Sequence, residues 1–227
     1  MAKKIEKLIV VVVLALVFFN GGCAMVGLVG SESQYEKKVP AEYDLTKQKG
    51  GKILVLVEQP GWLDTKTNLR YYLTRALTQS LVAKVKVKPN YIIPYKALTD
   101  LRSDRNDFPL LSPVEVGRAL DANTVLLVTI ENCQLSEMPG SDYYNGILSV
   151  QAAVFETATG DKVWPGPEGD KSIKVSFETG ERGADGAINR LVSACAHCTT
   201  RYLYNCPKYL FKTFDERGDS GWEEWDK

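Results

Sequence analysis

Histidine is nearly absent from this chain: His197 is the only one among 227 residues. A metal centre or a nucleophilic site built on histidine would therefore rest on a single side chain. Charge of one sign is also missing, since 28 Lys and Arg face 28 Asp and Glu. No basic excess is available to hold a phosphate backbone, so nucleic acid is not an expected partner. No HExxH, phosphate loop or GxSxG occurs, and no internal repeat is visible. Beyond residue 22 no apolar run approaches the roughly 20 residues of a membrane-spanning helix. Cys195, His197, Cys198 and Cys206 are the one tight group of soft donors. Ala196-His197-Cys198 and Gly218-Asp219-Ser220-Gly221 echo protease motifs. They lie too close in sequence for two separate barrels, and no third acid can be assigned. No cofactor and no metal are expected.

What is present begins with Lys3, Lys4 and Lys7, an unbroken apolar run from Leu8 to Phe19, and then Asn20-Gly21-Gly22-Cys23. A basic start, a short apolar centre and small residues before a cut site form an export signal. The cysteine after two glycines resembles a bacterial lipoprotein signal, in which that residue is lipidated and becomes the first of the mature protein. Asn20 departs from the Leu or Val usual there. The resemblance implies residues 1–22 as signal peptide, Cys23 as the lipidation site, and a membrane anchor of two or three acyl chains, sufficient for stable attachment. Ala24, rather than Asp, points to the outer membrane, with the domain facing the periplasm. Removing 22 residues leaves 205, enough for one domain with a sizeable core. Without the leader's three lysines and one glutamate, 25 basic and 27 acidic residues remain, a net charge of −2.

Residues 23–50 show neither helical nor strand periodicity and read as a tether. The globular part, 51–211, opens on Lys52–Val57, an apolar run typical of a strand buried on both faces. Thr67-Asn68 is a cap for a helix from Leu69 to about Val82, with Leu69, Leu73, Ala76, Leu77 and Ser80 on one face. Val85–Ile93 reads as a strand broken by prolines, and 102–111 as a loop. Ser112-Pro113-Val114-Glu115 starts a short helix by a capping box. Thr124–Ile130 is a strand, 132–146 a loop, and Ile147–Phe155 an alternating strand with Leu148, Val150, Ala152 and Val154 inward. A turn at 158–161 leads to Lys162–Trp164. In Lys171–Glu178, Ile173, Val175 and Phe177 share a face, and residues 184–205 form the last helix. Residues 212–227 are a polar tail. The order β-α-β-α-β-β-β-α predicts an α/β (α+β) fold, a mixed sheet with helices packed on it.

Ala119–Val128 resembles the "LGAD-x-hydrophobic" element of periplasmic domains related to the TolB amino-terminal domain. Val154–Trp164, with Thr159-Gly160 at its turn, resembles that family's hairpin, with Glu156 where Asp is frequent. The resemblance covers about residues 51–203 and extends to CsgG-like and LpoB-like lipoproteins. It implies binding and assembly work in the cell envelope rather than catalysis. A membrane barrel of the curli type needs long amphipathic hairpins; 96–112 and 132–146 look too short and polar, which argues against a pore.

Three readings of the cysteines stay open. On a helix, Cys195 and Cys198 fall on the apolar stripe while His197 points away toward solvent, which favours core packing. A disulfide Cys198–Cys206, or Cys195–Cys206, suits an exported chain. A metal site is the third. Tyr143 and Tyr144 in the 132–146 loop, and Trp222 and Trp225 in the tail, are candidate partner-binding residues, because aromatics with a polar handle are enriched at interfaces. The functional expectation is an outer-membrane-anchored lipoprotein, not an enzyme, that binds an envelope protein. The alternatives are a periplasmic small-ligand-binding protein or enzyme with an unrecognised site, and a homo-oligomeric ring.

Overall fold

The computed structural model describes residues 37–47, 50–63, 67–140, 143–166, 169–179 and 183–211. At one edge of its five-stranded sheet lies β2 (Ile53–Glu58), whose apolar run is continuous because helices cover both of its faces. Ile53, Val55 and Val57 point into the larger core, and Leu54 and Leu56 into a smaller one on the opposite face. β2 pairs in parallel with β3 (Thr124–Glu137), which pairs antiparallel with β4 (Tyr144–Glu156). On its other side β4 meets β5 (Lys162–Trp164) near its end and β6 (Lys171–Thr179) along its first two thirds. The result is the mixed sheet with packed helices expected from the sequence.

The larger core lies under α1 (Leu69–Ser80) and α4 (Gly183–Thr200). Asn68 caps α1, its side chain accepting from the Tyr71 amide, and the five residues assigned to the buried face are all buried. The smaller core lies under α2 (Tyr95–Asp104) and α3 (Pro113–Ala119). Ser112 and Glu115 close the expected capping box at the start of α3. Leu148, Val150, Ala152 and Val154 of β4, and Ile173, Val175 and Phe177 of β6, face the larger core as predicted. No helix among the described residues is long and apolar enough to cross a membrane.

Four local expectations need correction. Val85–Ile93 is not a strand. α1 runs into a wide turn at Leu81–Val85, closed by Lys86 in the left-handed region (φ 66°), and a short 3-10 turn at Pro89–Tyr91 follows. Pro89 has no amide to give a ladder, and only Ile92 bridges to Ile53. The 102–111 loop begins inside α2. The 132–146 loop is largely strand, so β3 and β4 form one long hairpin whose last pair before the tip is Glu137 with Tyr144. Residues 37–47, assigned to the tether, pack on the domain. β1 (Lys38–Val39) pairs with β7 (Cys206–Pro207), and Leu45 is buried. Glu42 accepts from the Trp164 indole at 2.9 Å and from Lys171 at 2.8 Å.

Candidate partner-binding surface

The hairpin positions the surface. β2 follows β3 only as far as Thr129. Beyond that point, among the described residues, Asn132–Glu137 pairs on one side alone, with β4. A bulge between Ile130 and Asn132 shifts the register, and Glu131 accepts from the Gln151 amide at 2.5 Å. The shift keeps Cys133 and Leu135 against the larger core while Gln134, Ser136 and Glu137 stand exposed. At the tip the Met138 amide donates to the Tyr143 carbonyl at 2.8 Å. Tyr143 is 54% exposed and Met138 38%; Tyr144 is half-buried at the start of β4. Met138 and Tyr143 thus meet at the tip, and Tyr144, next in the chain, opens β4 opposite Glu137. Cys23, Trp222 and Trp225 lie outside the described residues.

The edge strand itself escaped the sequence reading. Its signal is the alternation of Cys133 and Leu135, one residue out of phase with Leu126, Val128 and Ile130, followed by the turn residues Met138-Pro139-Gly140. A bulge produces that phase change, and a strict period of two misses it.

Behind α4 the expectation of a solvated histidine fails. His197 is 1% exposed, because residues from Ala194 to Thr200 are buried on every side. One side of α4 rests on the sheet, and the other is covered by the end of α1 and by residues 201–211. Ser80 and Thr200 share a hydrogen bond at 2.6 Å, and Arg201 donates to the Phe211 carbonyl at 2.7 Å. The Lys84 ammonium donates to His197 Nδ1 at 2.7 Å, which leaves Nε2–H to donate to the Leu210 carbonyl at 2.8 Å. Burial first, and the Lys84 charge second, push the His197 pKa from 6.5 down to about 3. Burial also holds Lys84 below its ordinary value. A neutral ring locked by both nitrogens fastens the carboxyl-terminal segment onto α4.

The disulfide expectation is corrected as well: Cys133, Cys195, Cys198 and Cys206 all remain thiols. Cys195 and Cys198 lie on the packed stripe as predicted. The Cys206 thiol donates to the Tyr204 hydroxyl at 3.3 Å, and burial raises the pKa of both groups, so the thiol keeps its proton. No group of three or more His, Cys, Asp or Glu suited to a metal occurs among the described residues.

The histidine lock carries a pH signature. Above pH 6.5 the ring is neutral in both states. Below it the unfolded chain binds a proton that the folded chain refuses until about pH 3. Stability therefore falls with pH across that window, by up to about 1.4 kcal/mol per pH unit. Urea midpoints from pH 7 to about pH 5, above the range where carboxylates titrate, should decline in the natural chain and stay flatter in His197→Gln. Equal slopes would show that the ring titrates normally.

No family profile matches this chain, and no curated protein matches it in sequence. Its structure is similar to several solved ones at low identity. Lipoprotein GNA1162 from Neisseria meningitidis shares 18% identity over 63% of this chain and 94% of that chain, with a TM-score of 0.41. A PelC dodecamer from Paraburkholderia phytofirmans shares 15% over 74% and 94%, at 0.40. The LpoB C-terminal domain from Salmonella enterica shares 17% over 66% and 93%, at 0.33.

Proposed function

We propose that this chain is a lipid-anchored protein of the bacterial cell envelope, attached to the outer membrane through Cys23. It works without catalysis and binds an extended segment of an envelope protein along the open edge of β3. The observation that carries this reading is the one-sided pairing of Asn132–Glu137. A row of backbone donors and acceptors left by a half-paired strand is a template for one more strand. Glu131 and Glu137 put charge at the two ends of the edge, and the span between them, Asn132 to Ser136, is uncharged. The partner would thus gain backbone bonds in the middle of the strand and meet Met138 and Tyr143 at the tip. The leader sequence supports the location.

The test is a photo-crosslinking residue at Gln134, on the open edge, compared with one at Arg75 on α1, away from any strand edge. Both positions are exposed. A discrete crosslinked protein in intact cells from Gln134, absent from Arg75, is the expected result. Equal labelling from both positions, or none from Gln134, would count against edge binding.

A further inference from the structure

The parallel pair β2–β3 ends at Glu58 and Thr129, and a cleft of about 370 Å³ opens at the end of β2. It is lined by Glu58, Gln59, Arg70, Arg102, Phe108 and Pro109. Arg70 comes from the first turn of α1 and Arg102 from the last turn of α2, so the two helices reach the cleft from opposite faces of the sheet. Each guanidinium spends one N–H on the strand end. Arg70 Nη2 donates to the Gln59 carbonyl at 3.0 Å, and Arg102 Nη2 to the Val57 carbonyl at 3.1 Å. The face of Arg102 lies over the Phe108 ring, 5.0 Å from its centre. The Nε of Arg70 is buried without a hydrogen-bond partner among the described residues.

Neither arginine takes part in an ion pair among the described residues. Among the described residues lining the cleft, these two partly desolvated cations face one mouth with Glu58 as the opposing charge. Burial first, then the charge of Arg70, hold the Arg102 guanidinium below its ordinary value. That juxtaposition costs free energy in the empty state, and an anion between the two groups would relieve it. Guanidinium groups present paired donors that match a carboxylate or phosphate. The volume lies at the small end of ligand pockets, and the crevice beyond the carboxyl ends of parallel strands is where α/β sheets commonly bind ligands.

We propose that Arg70 and Arg102 form a binding site for a carboxylate or phosphate group of a small ligand. The site stands apart from the β3 edge and does not depend on the partner reading. Glu58 opposes the anion and sets an upper limit on affinity, so its removal strengthens binding.

Calorimetric titration of the full chain in neutral detergent, with inorganic phosphate and with citrate as probes, tests this. The expected result is saturable binding of one equivalent of at least one probe. Arg70→Gln and Arg102→Gln weaken it about tenfold or more, Glu58→Gln strengthens it severalfold, and Arg105→Gln, on the surface against Asp107, leaves it unchanged. Preference for one probe identifies the group as phosphate or carboxylate. If the arginine variants fail to fold because they release the strand end, the Glu58→Gln result decides alone. No saturable binding of either probe, or affinity unmoved by Glu58→Gln and by the arginine variants, overturns the proposal.

Discussion

Trp164→Ala should cost about 3–5 kcal/mol, the range for deleting a large buried aromatic, and lower the melting temperature by roughly 10 °C for a domain of this size. Trp164 is 1% exposed, and its indole packs 6.0 Å from the Tyr202 ring. Its N–H holds the Glu42 carboxylate, whose other oxygen accepts from Lys171, and the Lys171 ammonium sits 4.0 Å over the Tyr202 ring. The alanine variant thus opens a cavity and also deprives Glu42 of a donor. Trp164→Phe retains most of the ring and should cost less, with roughly 1 kcal/mol assigned to the missing hydrogen bond. Residues 37–47 should loosen in the alanine variant. The Glu42 and Tyr43 amides, which donate to the Tyr202 carbonyl at 2.9 and 3.2 Å, should exchange with solvent faster. Urea unfolding followed by circular dichroism reads the stability, and hydrogen exchange reads the segment. A loss below about 1 kcal/mol, within the range of ordinary surface substitutions, would show that the Trp164–Glu42 link does not hold the segment to the core.

Cys23→Ser should abolish incorporation of labelled palmitate and empty the outer-membrane fraction of this protein. The physical reason is the size of the lipid contribution. Each buried methylene adds about 0.8 kcal/mol, so two or three acyl chains hold a protein stably while a bare chain has no comparable hold. The 12-residue run from Leu8 to Phe19 falls short of a comfortable span, so it offers no equal substitute. Retained label in the serine variant, or unchanged sedimentation with the outer membrane, would contradict the anchor.

Much of the fold was legible because the local signals agree with the tertiary result. The apolar run at Ile53–Val57, the spacing from Leu69 to Ser80, the Ser112 capping box and the alternation in β4 and β6 each report burial directly. Where they failed, the cause lies elsewhere in the chain. α2 has Pro94 as its cap with no side-chain hydrogen bond, and only Leu98 fully buried, so neither a start signal nor a strong stripe announces it. β3 hides its second half behind the bulge after Ile130. Residues 37–47 carry no pattern of their own and are ordered by partners such as Trp164, 122 positions away from Glu42.

The same logic applies to the candidate sites. Tyr143 and Tyr144 were singled out from composition alone; the structure exposes Tyr143 and leaves Tyr144 half-buried at the start of β4. His197 was misplaced because a helical wheel assigns one buried side, and here the carboxyl-terminal segment supplies a second. Arg70 and Arg102 were not singled out. Their meeting depends on two helices on opposite sheet faces ending at one strand, which no spacing in the sequence records.

The partner-binding claim is tested most directly by purifying the tagged full-length protein from its own envelope in mild detergent, beside Cys23→Ser, and identifying co-eluting proteins by mass spectrometry. The account predicts a specific envelope protein with the natural chain, depleted in the serine variant. A chain that elutes alone in both cases would contradict it.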